Sequence, residues 1–181
     1  LNLQSAYIDH PGLRKLLDDI QGRIKTMALV HEKLYQSNLG SVDVADYLRN
    51  VADFAVQTLA DPETRIVFDF KLPETPINLK IDEAIPIGLL VNEIITNAIK
   101  YAFPDRKEGH IHFDIRHTDK AEMLLMVSDD GIGYNDPPDS IEKPPTFGIE
   151  LIRLLNDQLG GKMEIQSENG LRYTFRFPVE H

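Results

Sequence analysis

Glu93, Asn97 and Lys100 follow one another at steps of four and three. On a helix turning about 100° per residue they fall within roughly 60° of one another. A carboxylate on such a face can orient water or accept a proton, a neutral amide oxygen can ligate Mg2+, and a lysine can meet a phosphate. The plainer reading of the same trio is the solvated face of a half-buried helix. A second group, Asp129-Asp130-Gly131-Ile132-Gly133, comes directly after a strand pattern. Aspartate with spaced glycines makes ordinary turns. It also lets a backbone approach a flat ligand and offers a carboxylate to an exocyclic amine. Phe147-Gly148-Ile149-Glu150-Leu151 puts a glycine at the opening of a helix after a Pro-rich stretch, where free N–H groups suit a phosphate or simply begin a helix. Gly160-Gly161, Ser167 and Gly170 by themselves read as a helix C-cap followed by a β-turn.

Both helices and strands are needed to position these groups. Ile87, Val91, Ile94, Ile95, Ala98 and Ala102 lie opposite the polar trio, predicting a helix from about Asp82 to Tyr101 with Pro104 just past its end. Arg65 to Leu72 alternates like a strand, and a short extended piece is expected near Ile77 to Leu79. GHIHFDIRH and AEMLLMVSD predict a hairpin across Thr118 to Lys120. KMEIQS and LRYTFRF predict a second, turning through Glu168 to Gly170. A helix from about Gly148 to Leu159 stops at Gly160-Gly161, and Asp43 is the expected N-cap of a helix from Val44 to Leu59. The order predicts an α/β fold, a two-layer α/β sandwich in which one mixed sheet carries helices on one face.

Ahead of that sandwich lies helical sequence of another kind. LNLQSAYI begins without a cap, as if cut from a longer helix, and Asp9-His10-Pro11-Gly12 breaks it. Leu13, Leu16, Leu17, Ile20, Ile24, Met27, Leu34 and Tyr35 then mark one apolar stripe of a long helix. A hairpin of two such helices cannot bury both stripes alone, so a homodimeric four-helix bundle is expected. The division is therefore a partial helical hairpin over 1–39, a short linker SNLGS, and the sandwich over 40–181.

Composition removes several classes of function. Among 181 residues there is no cysteine, which excludes a disulfide scaffold, a thiol nucleophile and a Cys-ligated zinc site, and suits a reducing cytoplasm. Lys plus Arg is 19 against 29 Asp plus Glu, a net charge of −10 with no basic stripe, so a nucleic-acid partner is not expected. No apolar run approaches the roughly 20 residues that cross a bilayer, so no membrane contact is expected of this chain.

Taken together, in this order and at these distances, the motifs resemble a known family. NEIITNAIKYAF is similar to the N box of the GHKL superfamily, the Bergerat-fold ATP binders. SDDGIGY resembles its DxGxG box, TFGIELI its second glycine box, and GGKMEIQSENGLRYTFRFP its last. LNLQSAYID and MALVHEKLYQS resemble the HWE-related sensor histidine kinases with the alternative HisKA-type dimerisation region. The resemblance implies ATP and Mg2+ as cofactors, a cytoplasmic location, and transfer of the γ-phosphoryl group to a histidine and then to a response-regulator aspartate. It implies that Asp129 meets the adenine amino group, with Gly131 and Gly133 flanking the nucleotide. Asn97 would be the Mg2+ ligand, Glu93 would polarise the nucleophile or a metal-bound water, and Lys100 would contact a phosphate. Gly148 and Ile149 would stand at the phosphate-facing helix start, and Tyr134 to Phe147 would be the lid over ATP. Two departures matter: Thr146-Phe147 lacks an additional glycine, and Gly170-Leu171 replaces the usual Gly-Thr, so the hydroxyl that supports the adenine-binding aspartate is missing.

A histidine kinase also needs an acceptor. His31-Glu32 is one candidate, but the resemblance puts it on the second helix of the hairpin and the acceptor on the first, upstream of Leu1. His10 falls in the hairpin turn, and His110, His112 and His117 fall on a strand without metal-ligand company. Two rival readings stand beside the kinase. Another superfamily ATPase or serine kinase would leave the helical hairpin unexplained. A non-enzymatic dimeric platform would draw on Leu171.

Overall fold

The computed structural model describes residues 41–59, 64–118, 122–133 and 147–178. The expected hairpin over 1–39, with His10 and His31, and the lid segment 134–146 lie outside them. The first described element is a strand, Ser41–Asp43 (β1), which pairs antiparallel with Asn78–Lys80 (β3), Val42 opposite Leu79. The linker reading of Ser41 is corrected here, because three residues are too few for an alternation to register in sequence. Asp43 caps as expected: the N–H groups of Ala45 and Asp46 donate to its Oδ1 at 2.8 and 3.1 Å, opening Val44–Leu59 (α1).

Five strands form the main sheet. They are Arg65–Lys71 (β2), Glu108–His117 (β4), Glu122–Asp129 (β5), Lys162–Gln166 (β6) and Arg172–Pro178 (β7), in the order β2-β4-β5-β7-β6. β2 runs parallel to β4 and the remaining pairs are antiparallel, so the sheet is mixed and both expected hairpins form. Alternation sets its two faces. Ile111, Phe113 and Ile115, Met123, Leu125 and Val127, and Tyr173, Phe175 and Phe177 are buried in one core with the apolar sides of the helices. Glu108, His112, Arg116, Arg172 and Arg176 on alternate positions stay exposed.

Ile81–Asn97 (α2) is buried nearly all round, with Ala84, Ile87, Gly88, and every residue from Leu90 to Thr96 buried. It packs against both α1 and Phe147–Gln158 (α3), which leaves it little solvent-facing surface. The sequence predicts an unbroken α-helix to Tyr101; instead Ala98–Ala102 forms a π-turn. Wider i→i+5 bonding advances less per residue than an α-helix, so faces assigned at 100° drift beyond Asn97. The end of this turn is fastened to the β5 loop, where Ile132 N–H donates to the Ala102 carbonyl at 3.0 Å. At the far end of α3 the N–H of Gly160 reaches the Asp157 carbonyl at 3.0 Å and that of Gly161 the Asn156 carbonyl at 2.9 Å, the expected C-cap. Among the described residues no helix is long and apolar enough to cross a membrane.

Candidate functional site

The C-terminal end of β5 meets the N-terminal end of β7 beside the last turns of α2. Asp129 points to the inner side of the sheet and is 8% exposed. Its Oδ1 accepts from the N–H of Gly131 at 2.9 Å and from that of Leu171 at 3.3 Å. Both of these bonds end on Oδ1. Burial pushes this carboxyl above its ordinary range, and the two N–H donors only partly oppose it. Leu171 therefore lacks the hydroxyl that the resemblance expects yet still supports Asp129 through its main chain.

The neighbouring carboxylate is set to another task. Asp130 Oδ2 holds the Arg106 guanidinium at 2.6 Å, its Oδ1 accepts from His110 N–H at 2.8 Å, and its carbonyl accepts from Arg106 at 2.7 Å. Burial alone would raise Asp130; Arg106 and His110 together outweigh it and hold the carboxyl below its usual range. Two adjacent aspartates thus shift in opposite directions, and Asp130 is taken up by Arg106 and His110.

Glycines bring the rest of the wall together. Gly170, at φ 114°, lies so close to the Asp129 carbonyl that a Cβ there would collide with it. A Cβ at Gly133 would stand 2.7 Å from Ser167 Oγ and 2.9 Å from the Gly170 carbonyl, so the β6–β7 turn and the Asp129 loop interlock. The fourth motif, read in sequence as a turn, is part of the same site.

Across from Asp129, α2 and the π-turn after it present the polar trio. Glu93 is 1% exposed, Asn97 is half-buried and Lys100 is exposed. The solvated-face reading is corrected for Glu93: the start of α3 covers it. Gly148 approaches so closely that a Cβ would run into the Glu93 carboxylate and stand 3.2 Å from Asn97 Nδ2. Ile149, beside it, is buried at 3% exposure, so its side chain packs inward and what it offers a ligand is its main chain at the helix start. Sequence reasoning missed Tyr101 and Ile132, 53% and 64% exposed, which stand at the same mouth through the Ile132–Ala102 bond. Exposed large apolar side chains beside a buried carboxylate were the available signal. His110 and His112 lie elsewhere, on the open face of the sheet, with their Nδ1 atoms 3.3 and 3.1 Å from Asp69 Oδ2.

A model described as the histidine kinase-, DNA gyrase B- and HSP90-like ATPase family matches residues 82–181, and one described as histidine kinase matches residues 1–59. The chain belongs to this ATPase family. Its resemblance to the HWE-related sensor histidine kinases stands as well. It is 28% identical over 186 residues to the sensor histidine kinase PdtaS of Mycobacterium tuberculosis, covering 99% of this chain and 36% of that protein. It is 22% identical over 161 residues to blue-light-activated histidine kinase 2 of Erythrobacter litoralis, covering 85% of this chain and 44% of that protein. The fold matches the histidine kinase domain of the Erythrobacter litoralis EL346 blue-light-activated kinase with a TM-score of 0.71 at 20% identity, over 87% of this chain and 73% of that one. The chain thus spans 36% and 44% of the length of these curated relatives.

Proposed function

We propose that the cleft between Asp129, the end of α2 and the start of α3 binds Mg-ATP, and that the kinase passes the γ-phosphoryl group to a histidine and from there to a response-regulator aspartate. The observation that carries this reading is Asp129 itself, a buried carboxylate whose bonds from Gly131 and Leu171 both end on Oδ1, while Asp130 next to it is consumed by Arg106. An adenine amino group is a donor that such a carboxylate can meet. Tyr101 and Ile132 offer apolar cover to the base, and Gly131 and Gly133 shape the loop beside it.

The donor set on α2 suits a hard cation. Asn97 presents a neutral amide beside the buried carboxylate of Glu93, and Gly148 leaves room at that spot which a Cβ would fill. Asn97 would hold Mg2+, which when bound neutralises phosphate charge. Lys100 meets a phosphate from the exposed edge, and the first N–H groups of α3 at Gly148 and Ile149 receive another. Transfer breaks the bond from the γ-phosphorus to its bridging oxygen, forms a bond to an imidazole nitrogen and releases ADP. Glu93 accepts the proton that the imidazole carries on its other ring nitrogen, which makes the attacking nitrogen a better nucleophile. Catalysis of this kind is mostly positioning and charge neutralisation.

We assign the acceptor role to a histidine other than His31, dimerisation to the region of residues 1–39, and the action of the domain to the cytoplasm. Labelled ATP should leave no acid-labile, base-stable label that His31→Ala removes. Calorimetric titration with ATP tests the main reading. Saturable binding strengthened by Mg2+ supports it, and no binding with or without the metal overturns it.

A further inference from the structure

Between the base-facing and phosphate-facing halves of the cleft runs a short turn, residues 103–107, that neither half uses for a ligand. It is heavily stitched. Thr64 Oγ1 donates to the Arg106 carbonyl at 3.1 Å, Arg65 N–H to the Lys107 carbonyl at 2.9 Å, and Arg106 N–H to the Phe103 carbonyl at 3.3 Å. The Arg106 guanidinium lies 5.5 Å from the centre of the buried Phe103 ring, which in turn fills the space that a side chain at Gly109 would need. From this anchored position Arg106 reaches across to Asp130 with two nitrogens, one on the side chain and one on the carbonyl. Asp130 is the residue directly after Asp129.

We infer that Arg106 is a positioning residue for the nucleotide, a fork that fixes how far Asp129 stands from Asn97 and Lys100. The inference rests on the nucleotide reading above. Its physical basis is that the two halves of the cleft come from different elements, joined at only two described fastenings. One is main chain, from Ile132 N–H to the Ala102 carbonyl, with Gly131 pressed against Ala102. Main-chain bonds from Asp129 N–H to the Leu171 carbonyl at 3.0 Å and from Asp130 N–H to the His110 carbonyl at 3.1 Å tie the start of the loop to the sheet, but they do not fix its tilt toward α2. The other is the Arg106 fork, whose planar geometry grips side chain and main chain of Asp130 together and limits the remaining tilt of the loop. His110 N–H holds the other Asp130 oxygen, so the residue is gripped from two sides and Asp129 is left aimed into the cleft.

A tilt of the Asp129 loop should show most clearly in recognition of the base. Inosine triphosphate carries a carbonyl oxygen where ATP carries the amine, so the ratio of the two affinities reports how well Asp129 is aimed. Charge-assisted bonds between partly exposed partners support an expected loss of about three- to tenfold in ATP affinity for Arg106→Ala. The ATP-to-ITP ratio should shrink with it. Arg106→Lys, which keeps the charge and only one donor group, should recover part of the ratio. Asp130→Asn, which keeps an acceptor for His110 but turns an amide toward Arg106, should lose the ratio without Arg106 being touched. It serves as the second variant if Arg106→Ala fails to fold.

The experiment is calorimetry with ATP and ITP on wild type and the three variants, with thermal unfolding beside it. A reduced ratio in Arg106→Ala and Asp130→Asn, partly restored in Arg106→Lys, supports the fork. A lowered melting temperature with the wild-type ratio intact overturns it, because Arg106 is then only structural. A wild type that binds neither nucleotide overturns the nucleotide reading and the fork together, so the two failures are told apart by the wild type alone.

Discussion

The two sides of the cleft are built from different materials. On the base-facing side the shape is made by main chain: Asp129 is held by the N–H groups of Gly131 and Leu171, and Gly170 and Gly133 let the Asp129 loop and the β6–β7 turn touch. On the phosphate-facing side the shape is made by side chains of one helix, Glu93 and Asn97, laid against the start of another, with Lys100 exposed on the π-turn beyond. The first tolerates a changed side chain where its backbone is kept, as Leu171 shows by donating from its N–H. The second should tolerate backbone-neutral changes in shape but no change in chemistry.

That contrast can be broken experimentally. The largest effect is expected from Gly170→Ala. A φ of 114° is strained for any L side chain, and the new methyl meets the Asp129 carbonyl. Strain of this kind costs about 1–3 kcal/mol before the collision is counted, so the variant should melt lower and show no measurable nucleotide binding. Wild-type affinity in Gly170→Ala would mean that the base-facing wall is not made by backbone approach.

Asn97→Ala tests the other side at smaller scale. The amide should matter through the cation, so affinity for ATP should fall several-fold with Mg2+ and change little in EDTA, a difference of about 1 kcal/mol if one hydrogen-bond-sized contact is lost. Equal losses in both conditions would make Asn97 a direct nucleotide contact or a packing residue.

The smallest effect is one of pH, and its sign separates the two aspartates. Asp129 is raised above 3.8 by burial, so its stabilising contribution is present when protonated and lost as pH rises through the raised value. Asp130 is lowered below 3.8, so its contribution is present above that value and lost as pH falls through the lowered one. On acidification the binding of an amine donor should therefore fail first, while the fold persists until Asp130 is protonated. Titrating affinity and melting temperature together checks this; loss of both at one pH contradicts it.

Much of this was legible in the sequence, for identifiable reasons. The two hairpins followed from alternation over five or more residues, and Asp43 as a cap followed from side-chain chemistry that acts locally. β1 was not legible, since three residues carry no period and its partner lies far along the chain. The π-turn after Asn97 was not legible either, because its end is fixed by Ile132, thirty residues later. At the site, residue types and spacing named Glu93, Asn97 and Asp129, but whether a polar face is solvated depends on what covers it. Glu93 is buried because α3 lies over it, and no helical wheel contains that fact. Arg106 was silent in sequence because its meaning is the distance to Asp130.

The central claim is that Asp129 reads an adenine amino group. Its most direct test is the affinity of the wild-type chain for Mg-ATP and Mg-ITP, beside Asp129→Ala. A hydrogen bond to a charged acceptor is worth about 1.5–3 kcal/mol, so the wild type should prefer ATP by roughly ten- to 150-fold. Asp129→Ala should keep its thermal unfolding, lose most of its ATP affinity and bind the two nucleotides alike. A wild type that binds ATP and ITP within twofold of each other, or an Asp129→Ala variant that keeps the preference, would contradict the account.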